Sequence, residues 1–164
     1  MFRQILRCVA VVATGLCLSS QSMAAGILRY ATIGEPPSLD IQMSTATIVA
    51  TIGEHMFETL YAFDSKYKPQ PFLATGEKVE DGGKKLVISL RQDVKFHNGQ
   101  EMTAADVVAS LNRWGEFGAR GSLLMKKATS LTATGKYEIT LVLSEPNGAW
   151  KNLLAYPEGG PVIY

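Results

Sequence analysis

Residues 84–91 alternate between side chains that point to opposite faces of an extended chain, and this period of two is the strongest constraint on the fold. The apolar members of one face are Leu86, Ile88 and Leu90. A strand with one apolar face must bury it against a second layer of structure. The turn-forming segment Asp81–Gly83 precedes this strand, so the sequence predicts an antiparallel hairpin with residues 77–79.

Strand and helix patterns follow one another along the rest of the chain. Further strands are predicted at residues 27–33, 94–96, 137–143 and 161–164. Helices are predicted at residues 47–60, from Thr103 onward, and after Asn147 around Trp150. Thr103 and Asp106 have the spacing of a capping box, Asn98 and Gly99 favour a tight turn, and three glycines favour a loop over residues 115–121. The order of elements predicts a mixed α/β domain.

The amino terminus has the three parts of a cleavable secretory signal. Arg3 and Arg7 precede an apolar run at residues 8–18, and small side chains at Ser22 and Ala24 suit signal peptidase, so we expect cleavage after Ala24. A membrane anchor is the alternative, but a spanning helix needs roughly 20 apolar residues and this run is shorter. We expect an exported, periplasmic protein.

The composition of the mature chain excludes several function classes. Both cysteines, Cys8 and Cys17, lie in the signal, and Leu16 before Cys17 is too large for a lipid-attachment site. Removal of the signal lowers the formal net charge from +1 to −1, so we do not expect the basic surface that nucleic-acid binding requires. His55 and His97 do not have metal-ligand spacing, and no catalytic motif is present. We therefore expect no catalytic residues, metal or cofactor.

Four blocks of the mature sequence together resemble the family 5 extracellular solute-binding proteins. They are residues 72–84, the strand at residues 86–91, residues 94–99 with the Asn-Gly turn, and residues 102–111 with the capping box. The resemblance spans residues 34–143 in order and spacing. Members of this family are the periplasmic binding components of ABC importers for dipeptides, oligopeptides and nickel.

This resemblance implies an α/β fold with a mixed sheet, the periplasmic-binding-protein-like type II fold of two lobes joined by a hinge. Residues 25–45 would begin lobe I, and residues 46–164 would form most of an additional small α+β domain. The chain would thus be the front part of a longer, monomeric protein that captures a peptide-like solute and delivers it to an ABC permease in the inner membrane. A sensor or adhesion module on the same scaffold remains an alternative, as does a secreted hydrolase with catalytic residues beyond residue 164.

The resemblance also implies a ligand-binding segment. In peptide-binding relatives the segment after the first strand faces the cleft, and here it corresponds to Thr45, Ala46 and Thr47. Relatives with a carboxylate in this segment can bind a peptide's amino terminus, whereas Thr45 is neutral. Simple helix capping by these hydroxyls is the competing interpretation. Arg120, in the glycine-rich segment, is a further ligand-binding candidate.

Overall fold

The structure is a computed structural model that describes residues 29–164. The predicted signal peptide, at residues 1–24, and the start of the first predicted strand lie outside the described residues. The described part of that strand, residues 29–33, is not a strand, so the prediction is wrong there. Alternation makes a strand only where a partner strand is available, and no strand pairs with this segment within residues 29–164.

The centre of the fold is a four-stranded antiparallel sheet with the spatial order β3-β4-β6-β5. Its strands are β3 (Ala74–Glu80), β4 (Lys85–Leu90), β5 (Ala128–Gly135) and β6 (Glu138–Leu143). The predicted hairpin is confirmed: β3 and β4 pair antiparallel across the Asp81–Gly83 turn. Asp81, Gly82 and Gly83 all have positive φ, a backbone conformation in which glycine carries no side-chain penalty. All described strand pairs are antiparallel, whereas the resemblance implies a mixed sheet.

One helix packs on a face of this sheet and closes the core. Helix α2 (Ala104–Phe117) begins as predicted, with the Asp106 carboxylate accepting a hydrogen bond from the Thr103 backbone N–H at 2.7 Å. Its apolar stripe contacts β5 and β6. Buried core positions in the helix and sheet include Leu86, Ile88, Val107, Leu111, Trp114, Ile139 and Leu141. The buried face of β4 is the one that the alternation predicts.

The predicted loop at residues 115–121 is wrong, because the chain there is almost entirely helical. Helix α2 continues to Phe117, and α3 (Ala119–Met125) begins two residues later. A Cβ on Gly121 would lie 2.0 Å from the Trp114 carbonyl oxygen. The glycine therefore serves close packing of two helices rather than a loop conformation.

The first helix is shorter than predicted. Helix α1 (Thr47–Gly53) ends at a residue of low helix propensity, seven residues before the expected end at Leu60. Leu60 instead directly precedes the small antiparallel hairpin of β1 (Tyr61–Phe63) and β2 (Pro69–Pro71). The carbonyl oxygen of Leu60 accepts hydrogen bonds from the N–H groups of Phe72 and Ala74.

Two short predicted strands also fail to join a sheet. Residues 94–96 fold back on themselves through a single bridge between Lys95 and Glu101, around the confirmed turn at Gly99 with φ of +83°. Residues 161–164 are not a strand, although Ile163 is buried and donates its N–H to the Glu58 carbonyl oxygen at 3.0 Å. An apolar segment can be buried among loops as well as in a sheet.

The remaining elements follow the prediction more closely. Strand β6 confirms the pattern at residues 137–143, and the short helix α4 (Trp150–Leu153) follows Asn147. Strand β5 was not predicted, because its threonine-rich sequence carries only weak alternation. Each helix within residues 29–164 is too short or too polar to cross a bilayer.

Candidate functional site

The structure brings two of the predicted ligand-binding residues, Thr45 and Arg120, to one place. Both lie against Gly159, a residue with φ of +61°. From the position that a Cβ on Gly159 would occupy, Thr45 Cγ2 is 3.2 Å away and Arg120 Nη1 is 3.5 Å away. The segment before α1, helix α3 and the loop around Gly159 therefore form one neighbourhood, which we call the Thr45–Arg120 site.

The capping interpretation of this segment is wrong for both threonines. Ala46 is the N-cap residue of α1, and no side chain caps that helix. The Ser44 hydroxyl accepts the Ala46 N–H at 3.2 Å instead. Within residues 29–164, no hydrogen bond occupies the Thr45 or Thr47 hydroxyl, and residues 45–47 are exposed. These polar groups are accessible to a ligand. The geometry places Thr45 and Arg120 on either side of one position, Gly159.

Arg120 lies on helix α3 and not in a loop. Its guanidinium donates a hydrogen bond to the Glu158 carbonyl oxygen and stacks over the Tyr156 ring, 4.6 Å from the ring centroid. Within the described residues no carboxylate forms an ion pair with it. The half-buried guanidinium thus has further N–H donors available for an anionic group.

The wall of the site is anchored to the hydrophobic core. Trp114, which is fully buried, donates its indole N–H to the Gly159 carbonyl oxygen at 2.8 Å. Sequence reasoning missed Trp114, Tyr156 and Gly159 as residues of this site. The neighbouring glycines Gly159 and Gly160 are a signal of close backbone approach, but the position of Gly159 beside Thr45 depends on the tertiary fold.

A second polar cluster joins Asp40, Gln42, Arg113 and Tyr164. Arg113 pairs with the Asp40 carboxylate and donates to Gln42 Oε1 at 2.7 Å. The hydrogen bond and charge of Arg113 hold the pKa of Asp40 below its usual range. Burial and the nearby Asp40 carboxylate raise the pKa of Tyr164 to about 12. Because its members form hydrogen bonds with one another, we assign this cluster a structural role and not a ligand-binding one.

A separate cleft of about 640 Å³ brings the two histidines to one surface. His55 and His97 both line it, although they are far apart in sequence. Apolar side chains contribute much of the rest of the lining: Met56, Phe57, Leu73, Val94, Phe96, Met102 and Ile163. Within residues 29–164 no group of three potential ligands is arranged to hold a metal ion.

The fold matches solved periplasmic binding proteins. PBP AgaA from A. tumefaciens, in complex with agropinic acid, superposes with a TM-score of 0.68 and 30% identity over 80% of this chain and 26% of that one. AppA from Bacillus subtilis, in complex with a nonapeptide, gives a TM-score of 0.68 and 29% identity over the same two shares. These are type II periplasmic binding proteins, so the expected fold class is confirmed.

Sequence comparison finds relatives with transport names. A Sinorhizobium fredii protein named "Probable peptide ABC transporter periplasmic-binding protein" is 34% identical over 73% of this chain and 22% of its own length. The glutathione-binding protein GsiB of Escherichia coli K12 is 26% identical over 89% of this chain and 29% of its own. The chain spans between a fifth and a third of these relatives. Residues 68–163 match the family model described as "Bacterial extracellular solute-binding proteins, family 5 Middle". The chain belongs to the family 5 bacterial extracellular solute-binding proteins.

Proposed function

We propose that this chain is part of the substrate-binding component of an ABC importer, which captures a peptide-like solute in the periplasm and delivers it to a membrane permease. Family membership carries the proposal: the matched family binds solutes, and relatives are named for peptide transport and glutathione binding. Reversible capture between two lobes needs no covalent chemistry, so no catalytic residue is assigned. A sensor or adhesion module, or a hydrolase completed by residues elsewhere, is the competing class.

The Thr45–Arg120 site is the part of the solute cleft that these residues would supply. The Arg120 guanidinium carries an accessible positive charge, and a guanidinium binds a carboxylate with paired hydrogen bonds. Thr45 brings a neutral hydroxyl, so this segment offers no carboxylate to a solute's amino group. The site thus favours a solute with a carboxylate at this end. Ala46 and Thr47 complete the proposed ligand-binding segment.

The domain division and the export route belong to the same proposal. Residues 1–24 would be the signal peptide, cleaved after Ala24 without lipid attachment. Residues 25–45 would begin lobe I, and residues 46–164 would form most of the additional domain. Mass spectrometry of the amino terminus of the secreted protein tests the cleavage site directly.

The function is tested by titrating the full-length mature protein with a library of short peptides and measuring its melting temperature at each peptide concentration. We expect a saturable rise in melting temperature with at least one member. Arg120→Gln should weaken that binding about ten- to a hundredfold, the range for a charge-assisted hydrogen bond. Arg91→Gln is the matched control, since Arg91 also donates to a backbone carbonyl, that of Phe72, at 2.6 Å.

Three outcomes would count against the proposal. No shift with any peptide would contradict solute capture, and turnover of a bound compound would favour the hydrolase. Equal loss of affinity in both arginine variants would contradict the assignment of Arg120. Genes for multi-spanning permeases beside this gene would support import over the sensor or adhesion alternative.

A further inference from the structure

Two Asn-Gly pairs occur in the described chain, and they differ in whether the glycine N–H forms a hydrogen bond. Asn98 and Gly99 form a tight turn, whereas Asn147 and Gly148 lie between β6 and α4. An Asn-Gly pair can deamidate when the glycine nitrogen reaches the asparagine side-chain carbonyl, because glycine has no side chain to hinder the approach. The local hydrogen bonds decide which pair can react.

Hydrogen bonds of a tight turn hold the glycine nitrogen of the Asn98 pair. The Gly99 N–H donates to the Phe96 carbonyl oxygen at 2.8 Å, and the Phe96 N–H donates to the Gln100 carbonyl oxygen at 2.8 Å. Attack by the Gly99 nitrogen would require this turn to break first.

The glycine nitrogen of the Asn147 pair is free to react. Within residues 29–164, no hydrogen bond engages the Gly148 N–H, and the space where its Cβ would project is empty to 4 Å. Asn147 Oδ1 accepts the Ala149 N–H at 3.0 Å, which is an Asx turn. The Gln100 N–H makes the equivalent bond to the Asn98 side-chain oxygen at 2.9 Å, so the two pairs differ chiefly at the glycine nitrogen and not at the side-chain carbonyl.

We propose that Asn147 is a spontaneous modification site, at which the folded protein deamidates while Asn98 is protected. The Gly148 nitrogen loses its proton to solvent base and forms a bond to Asn147 Cγ. The Cγ–Nδ2 bond then breaks, and the leaving nitrogen departs as ammonia after taking up a proton. Water adds to one carbonyl of the resulting succinimide and reopens the ring, giving aspartate or isoaspartate. The net change consumes one water and releases one ammonia, with no redox step.

Modification of Asn147 should disturb the packing of the core, because Asn147 contacts helix α4. The Asn147 carbonyl oxygen accepts the Trp150 N–H at 3.2 Å, and the Trp150 ring packs edge-on against Tyr61 at 5.6 Å between centroids. Lys151 pairs with Glu77 on β3. Isoaspartate adds a main-chain carbon before this helix, so aged protein should unfold at a lower temperature than fresh protein.

Timed incubation of the purified full-length protein at mildly alkaline pH, followed by tryptic mapping, tests the proposal. Residues 137–151 and 96–113 give separate peptides, and fragment ions locate each conversion of side-chain amide to acid. In folded protein we expect Asn147 to convert about tenfold faster than Asn98, the factor that one hydrogen bond of ordinary strength supplies. In urea the two rates should become similar, because the turn that protects Asn98 is gone.

Gly148→Ala provides the matched variant. A Cβ at Gly148 meets no atom within 4 Å, so the variant should fold normally while its methyl group slows attack. Conversion at Asn147 should then fall several-fold, and conversion at Asn98 should be unchanged. An Asn147 that stays amidated in folded protein but converts in urea would overturn the proposal, as would equal or faster conversion of Asn98 in the folded state.

Discussion

At the scale of single residues, the Asp40–Arg113 pair joins parts of the chain that are far apart in sequence. Arg113 on α2 pairs with Asp40 and supplies the donor for Gln42 Oε1, and Gln42 is 1% exposed. Arg113→Met leaves that buried oxygen without its donor. We expect the free energy of unfolding to fall by about 1–3 kcal/mol, the cost of one unsatisfied buried group. Urea denaturation at neutral pH measures it.

The pH dependence of this loss separates the contribution of the Asp40–Arg113 pair from that of the Gln42 oxygen. Because Arg113 lowers the pKa of Asp40, the pair stabilises the protein above the unfolded-state pKa of aspartate, and this contribution is lost as pH falls through the folded-state pKa. The difference between wild type and Arg113→Met should therefore shrink in acid. Lys85→Met, which breaks the exposed pair with Glu80, is the control and should leave stability nearly unchanged. A difference that grows in acid would contradict this explanation.

At the scale of elements, local patterns predicted much of the fold and failed where tertiary packing decides. The alternation in β4 and the Thr103–Asp106 box depend on neighbouring residues only, and both are confirmed. The glycines at residues 115–121 indicated a loop because a single sequence does not show that Trp114 packs against Gly121. For the same reason Thr45 and Arg120 were predicted separately, and their contact through Gly159 was not.

The junction of α2 and α3 gives the prediction at this scale. Gly121→Ala places a methyl group 2.0 Å from the Trp114 carbonyl oxygen, so the two helices must separate. We expect a loss of about 1–3 kcal/mol, or somewhat more, in the free energy of unfolding, the usual range for overpacking. Gly76→Ala in β3 meets no atom within 4 Å and is the control. Similar stability of the two variants, measured by urea denaturation, would show that the helices can adjust.

At the scale of the whole molecule, the described chain would supply one wall of the proposed cleft. Thr45 and Arg120 lie on the same wall, anchored by Trp114, while the relatives are three or more times as long. A wall of this kind would contact only part of a solute, and a cleft closed by two lobes would gain its affinity from enclosure by both.

We therefore expect residues 25–164, produced alone, to bind the cognate solute far more weakly than the full-length protein does. Edge strands β3 and β5 each leave one side without a partner in the described sheet, so self-association should rise with concentration. Calorimetry with the solute identified by the library titration compares the two polypeptides, and light scattering follows their association. A Lys substitution at Thr132, exposed on β5, should reduce association without restoring binding. Tight, stoichiometric binding by residues 25–164 would place the whole site within this chain and contradict a cleft shared between two lobes.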